Sequence, residues 1–237
     1  MSGIDDWIAG WSDSTSLLMV MTLAVLLGLR HATDPDHLAA VSALVASGDE
    51  QSTRSARRLG LLWGLGHATT LVLLGVPIIL FSAYLPEPVQ RGTETAVGVM
   101  IIALAVWLLV RWRRGVAHAH VHGHVDDQHG HGHEPGRRTP LGAYTIGLVH
   151  GAGGTAGVGL LLLARIQNRG VAVASLVVFA LCTAASMSLV SAGWGKALGH
   201  SAARRSLHRV TPALGVAGLA FGVWYTLGAL TVVPYML

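Results

Sequence analysis

The residues best suited to chemistry lie close together near the N-terminus, in Arg30-His31-Ala32-Thr33-Asp34-Pro35-Asp36-His37. Four potential metal ligands, His31, Asp34, Asp36 and His37, fall within seven residues flanked on both sides by apolar sequence. An ionisable group at membrane depth costs on the order of 2.5 to 3.5 kcal/mol on insertion scales, so a cluster of them lines a polar cavity, a relay or an ion site. Pro35 removes a backbone donor, clashes with the preceding turn and pushes Asp34 away from helical dihedrals, which predicts a broken or kinked helix. On a regular helix His31 and Asp34 stand one turn apart and can share an ion, whereas Asp36 and His37 reach it only if the backbone bends. Arg30 has two readings, as the neutraliser of a carboxylate or as part of the site.

Further buried polar points occur downstream. Gly64-Leu65-Gly66-His67-Ala68-Thr69-Thr70 and Gly147-Leu148-Val149-His150-Gly151-Ala152-Gly153-Gly154-Thr155 each place one histidine among glycines in an apolar run. Alone, either histidine reads as an interhelical hydrogen-bonding partner and the glycines as close helix packing. Together with the first motif, His67 and His150 supply nitrogen ligands from two more helices. Glycines around His150 also allow the helix to unwind and expose carbonyls to a cavity. Thr183, Ser186, Met187 and Ser188 are weaker candidates, read first as interhelical hydrogen bonds and core packing.

Composition says what must hold these residues. The chain has 237 residues, 52% hydrophobic and 12% charged, with a mean hydropathy of +0.55. That is too apolar for an ordinary soluble domain and predicts an all-α, polytopic membrane helix bundle. Spans of the required length, about 20 residues, are read at 16–46, 59–84, 93–112, 141–164, 171–195 and 210–235, giving about six transmembrane helices. The first is over-long and is either one broken helix or a helix plus a re-entrant segment. Trp7, Trp11, Tyr84, Trp112, Trp194 and Tyr235 fall near span ends, where amphipathic rings sit at the headgroup level.

A pI of 9.8 could point to nucleic acid, but the basic residues form short clusters between apolar spans, so no nucleic-acid partner is expected. Arg54, Arg57 and Arg58, then Arg111, Arg113, Arg114, Arg137 and Arg138, then Lys196, Arg204, Arg205 and Arg209 mark one side. Only Arg91, Arg165 and Arg169 mark the other. The positive-inside rule makes the basic loops cytoplasmic and puts both termini outside a cell (inner) membrane. The first sixteen residues hold Asp5, Asp6 and Asp13 without Lys or Arg and lack the basic n-region of a cleaved signal peptide. The lone Cys182 forms no internal disulfide.

The cytoplasmic loop between spans three and four, His118 to Glu134, holds seven of the thirteen histidines, alternating largely with small residues. It has no apolar face to bury and is expected to be disordered without ligand. Dense flexible imidazoles bind nickel, cobalt, zinc and copper with little selectivity, so the loop reads as a metal buffer separate from the buried ion site and a docking point for a metallochaperone. The organisation that follows is a first transmembrane half over 1–113, a His-rich loop over 114–140 and a second half over 141–237. Gly28-Leu29-Arg30-His31 is echoed by Gly147-Leu148-Val149-His150, each opening a set of three spans, which suggests an inverted 3+3 repeat.

The string His31-Ala32-Thr33-Asp34-Pro35-Asp36-His37 resembles the signature His-Ala-x-Asp-x-Asp-His of the nickel/cobalt transporter (NiCoT) family. Leu65-Gly66-His67-Ala68-Thr69-Thr70 is similar to its next-helix motif, and the segment ending at Gly151 is similar to that of the short, urease-associated nickel permeases. The His-rich loop resembles that of the nickel/cobalt exporters. The resemblance implies permeation of a divalent ion, with nickel or cobalt as transported substrate and no cofactor, and His31, Asp34, Asp36, His37 and His67 as site positions. About six spans and no acidic motif in spans five and six set the chain apart from longer members and leave import and export both open.

Mixed imidazole and carboxylate ligands fit a borderline divalent ion, and the lack of thiolates argues against a dedicated Cu(I) site. Two rivals belong to other classes. One is an intramembrane zinc-dependent hydrolase, for which the chain has ligands but no H-E-x-x-H and no nucleophile motif. The other is a membrane metal sensor or accessory subunit that signals through the loop. No G-x-x-x-x-G-K-[ST] motif is present, so any ATPase would be another chain.

Overall fold

The break expected at Pro35 shapes the first span. The computed structural model describes residues 3–46, 53–81, 86–119, 140–153, 166, 168–199 and 201–232. Helix α1 runs over Gly3–His31 and helix α2 over Pro35–Ala46. The end of α1 tightens as the Thr33 and Asp34 amides donate to the carbonyls of Arg30 at 2.8 Å and His31 at 3.1 Å. The Asp34 carbonyl then accepts the first bond of the next helix, from the Leu38 amide at 3.0 Å. Pro35 therefore occupies the first helical position, where a missing N–H leaves no gap in the ladder. Asp36 falls in the first turn of α2, where the positive end of the helix dipole favours a carboxylate. Leu17–His31 and Pro35–Ala46 meet at a bend of 49°.

Five more helices follow among the described residues: α3 (Thr53–Phe81), α4 (Glu87–Ala119), α5 (Pro140–Gly151), α6 (Arg169–Gly199) and α7 (Ser201–Ala229). Thr53–Phe81, Glu87–Arg114, Arg169–Ala197 and Val210–Ala229 are each long and apolar enough to cross a bilayer, and the bent pair makes a fifth candidate span. The protein is an all-helical, polytopic membrane bundle. Of the sixth expected span, 141–164, the described part is α5 and a turn through Gly153; the rest lies outside the described residues. Helix α4 continues through Ala119, so the segment expected as a loop from residue 114 begins as helix. The His-rich sequence from residue 120 onward lies outside the described residues.

Small residues set the helix spacing. One core joins Ala40, Val41, Leu44 and Val45 of α2 to Trp63, Leu104, Leu108, Ala143 and Met187. A second joins Ala24 of α1 to Ala68 and Leu71 of α3 and to Leu176, Phe179, Ala180 and Ala184 of α6. Alanine and glycine at helix crossings let backbones approach closely, which drives helix association in lipid, where apolar burial alone does not. Leu18, Leu73 and Leu189 are exposed on the outer surface.

Two helix crossings pack alike. A Cβ on Gly28 of α1 would stand 2.6 Å from the Phe179 carbonyl oxygen of α6, and one on Gly147 of α5 would collide with the Trp63 carbonyl oxygen of α3. The Ser186 hydroxyl of α6 donates to the Leu29 carbonyl at 2.8 Å, and the Thr70 hydroxyl of α3 donates to the Leu148 carbonyl at 2.9 Å. Leu29 and Leu148 are the second residues of the repeated Gly-Leu-x-His. Ser186 lies seven residues after Phe179, as Thr70 lies seven after Trp63. Ser188 donates to the Arg57 carbonyl at 3.2 Å and Met187 is buried, so α6 contributes hydrogen bonds and packing here.

Candidate metal centre

Four helices, α1 and α2 on either side of the break together with α3 and α5, bring five potential ligand side chains together. Trp63 and His67 lie one turn apart on α3, facing α5. There, a Cβ on Gly66 would collide with the Tyr144 carbonyl oxygen and one on Gly151 would stand 2.6 Å from the His67 carbonyl oxygen. Gly147 and Gly151 form a small-x-x-x-small pair that holds α5 against α3, and His150 lies between them. His31 closes α1, and Asp36 and His37 open α2. Asp36, His37, His67 and His150 are each no more than 1% exposed, and His31 is 4% exposed. A polar cluster this deep is stable only if its groups satisfy one another or a ligand.

His37 is the hub. Its ring centroid lies 4.5 Å from that of His31, 5.0 Å from His67 and 4.3 Å from His150. Two groups have ligand atoms close enough to hold an ion, His31 with His37 and His67, and Asp36 with His37 and His150. In the first, His31 Nε2 and His67 Nε2 are 3.2 Å apart. In the second, His150 Nε2 donates to Asp36 Oδ2 at 3.1 Å and His37 Nδ1 donates to Asp36 Oδ1 at 3.2 Å. Two nitrogens bound to one tetrahedral ion at about 2.1 Å stand roughly 3.4 Å apart. These separations are therefore near the edges of a coordination polyhedron.

Carboxylates hold the rings in place from behind. His31 Nδ1 donates to Asp34 Oδ2 at 3.1 Å, and Arg30 donates to Asp34 Oδ1 at 3.2 Å. Asp34 thus stands on the outer side of His31 and is in neither ligand group. Its bond at Nδ1 leaves the Nε2 lone pair for a metal, the carboxylate–histidine arrangement that fixes the orientation of a metal-binding ring. Asp36 does the same for His37. Of the two readings open for Arg30, the structure gives a partner of Asp34 whose side chain is 71% exposed while Asp34's is 10% exposed.

The aromatic walls were not legible as part of the site. The Trp63 ring lies 5.7 Å from that of His37 and 5.5 Å from that of His150, and Phe179 lies 5.5 Å from His31. Trp63 carried a usable signal. It lies four residues before His67, on the same helix face one turn away. Among the described residues, His37 Nε2, His67 Nδ1, His150 Nδ1 and Trp63 Nε1 are buried without a hydrogen-bond partner. Such orphans are rare in folded proteins, and the three imidazole nitrogens at one place suit a site that takes up an ion. Thr183 lies four residues after Phe179, as His67 does after Trp63, and its hydroxyl donates to the Phe179 carbonyl of its own helix at 2.9 Å.

The family model for NicO, described as high-affinity nickel-transport protein, matches residues 17–197, which takes in all of these side chains. The chain belongs to the NicO family. NicO is a family of transporters rather than of enzymes, so the hydrolase reading is not favoured. The chain is 29% identical over 159 residues to the urease accessory protein UreH of Bacillus sp. (strain TB-90), covering 66% of this chain and 67% of that one. It is 36% identical over 101 residues to the high-affinity nickel transport protein of Cupriavidus necator, covering 43% of this chain and 28% of that one. A protein of Methanocaldococcus jannaschii named for nickel/cobalt efflux is 28% identical over 112 residues, covering 45% of this chain and 50% of that one. The chain thus spans half or less of the two latter relatives. No solved structure matches it.

Proposed function

We propose that this chain moves nickel or cobalt ions across the cell (inner) membrane through His31, Asp36, His37, His67 and His150, with Asp34 orienting His31. The observation that carries the reading is the convergence of five buried potential ligand side chains, from four helices that include both sides of the break, at ligand-edge separations. Imidazole with one carboxylate suits a borderline divalent ion, which is bound and released as cargo. The broken span supports passage as well as binding, because interrupted helices in transporters mark midplane sites between repeated halves.

The same reading assigns residues 1–113 and 141–237 to two transmembrane halves and 114–140 to a cytoplasmic His-rich loop, with both termini outside. The loop collects metal and offers imidazoles to a metallochaperone; the similarity to a urease accessory protein makes a nickel-handling partner the natural candidate. The partners are therefore the metal ion, the bilayer and a soluble metal carrier, with no nucleic acid.

Flux into proteoliposomes holding the purified protein, wild type beside His37→Ala, tests the proposal with Ni²⁺, Co²⁺ and Zn²⁺ offered in turn. Saturable flux that vanishes in the variant is expected, and competition ranks the ions. Absence of flux for every ion, with metal still bound at His37, would overturn transport in favour of sensing.

A further inference from the structure

His37 belongs to both ligand groups, and its two ring nitrogens have different surroundings. Nδ1 is 3.2 Å from Asp36 Oδ1, on the side of His150, whose Nε2 is 3.1 Å from the other oxygen of the same carboxylate. Nε2 has no hydrogen-bond partner and is the nitrogen left for the pair His31 Nε2 and His67 Nε2. The two groups differ in chemistry. One offers three imidazoles; the other offers two imidazoles and a carboxylate oxygen.

We infer that the centre holds two alternative positions for one divalent ion, an all-nitrogen position at His31, His37 and His67 and a mixed position at Asp36, His37 and His150, with His37 handing the ion from one to the other. This rests on the transport reading for its purpose, but its geometry stands apart from it. A neutral imidazole carries one lone pair and one N–H, so His37 binds through Nε2 while Nδ1 keeps the proton, or through Nδ1 while Nε2 carries it. The positions therefore exclude one another, and the chain binds a single ion between them. On passing to the mixed position the ion exchanges His31 and His67 for Asp36 and His150, the Nδ1 proton of His37 passes to water, and Nε2 takes one from the water that enters as the ion leaves, so no net charge is gained or lost at the ring. Every ligand lost is replaced on the other side of the same side chain. Stepwise exchange of this kind lets an ion be held firmly without being trapped.

The two ligand sets give Co²⁺ different visible spectra, which makes the inference testable. The reference protein is the full chain with the seven histidines between His118 and His133 replaced by asparagine, so that only the buried centre reports. Its Co²⁺ stoichiometry and spectrum are compared with those of His67→Gln, His150→Gln and His37→Gln in the same background. The reference should bind one Co²⁺ per chain and show two spectral species. His67→Gln and His150→Gln should each still bind one Co²⁺, weakened only by the share of the lost position, about twofold each where the two are equally filled, each showing one species, and the two species should differ. His37→Gln should bind none.

A single spectral species in the reference, whatever the variants do, overturns the inference, so it does not depend on every variant folding. So does His150→Gln or His67→Gln with unchanged affinity and spectrum, which would leave one real position. Two species together with no metal flux would retain the two positions and remove transport.

Discussion

Gly147→Ala is the sharpest test of how this site is held together. Gly147 is buried where α5 crosses α3, and an added Cβ would collide with the Trp63 carbonyl oxygen while standing 2.9 Å from the His67 amide nitrogen. Ordinary contacts between such atoms lie at about 3.5 Å or more, and neither obstacle is the end of a flexible side chain. The helices must therefore part by on the order of 1 Å. Overpacking of this kind costs about 1 to 3 kcal/mol. The same shift pulls His150, three residues on, away from His37, whose ring centroid is 4.3 Å from its own, so Co²⁺ affinity and flux should fall by about tenfold or more.

The control is Gly193→Ala. Nothing lies within 4 Å of a Cβ at that exposed position of α6, and relief of glycine's backbone entropy predicts no loss and a gain of up to about 1 kcal/mol. Unfolding in detergent and Co²⁺ flux in proteoliposomes are to be measured for both variants. If Gly147→Ala matches Gly193→Ala in stability and carries metal like wild type, the account of the α3–α5 contact is wrong.

Other outcomes follow from the same geometry. Asp34→Asn leaves every ligand in place but weakens the orientation of His31, so metal affinity should drop about 10- to 100-fold without being abolished, measured by Co²⁺ titration; Asp36→Asn removes both a ligand and the group behind His37 and should cost more. Imidazole binds metal only when deprotonated, so protons compete with the ion, and binding should weaken as pH falls below about 6, read by Co²⁺ spectra at stepped pH. Deleting Ala117 to Glu134 should preserve flux and change apparent affinity, whereas a sensor would lose its function.

Much of this was legible in sequence because it depends on near neighbours. Pro35 dictates the break through its own ring and its effect on Asp34, and the structure places it at the start of α2. Apolar runs of span length announce the bundle. The ligand types also follow from composition, and His67 and His150 stood out as lone polar residues in apolar, glycine-rich helices.

The division of labour within the motif was not legible. Asp34 reads as a ligand equal to Asp36, yet one backs His31 and the other lies between His37 and His150. That difference depends on the side to which the 49° bend turns each carboxylate, and residues far along the chain decide it. Trp63 and Phe179 likewise became walls of the site only when α3 and α6 packed against the break.

The sequence by itself thus determined a membrane bundle, a helix break and a set of nitrogen and oxygen ligands, because dihedral preference and hydrophobic period are local properties. Tertiary structure alone decided that the ligands fall into two groups sharing His37. Convergence of His31, His67 and His150 requires helix backbones in contact at Gly28, Gly66, Gly147 and Gly151, and the register of such contacts is a property of pairs of helices that no single stretch encodes.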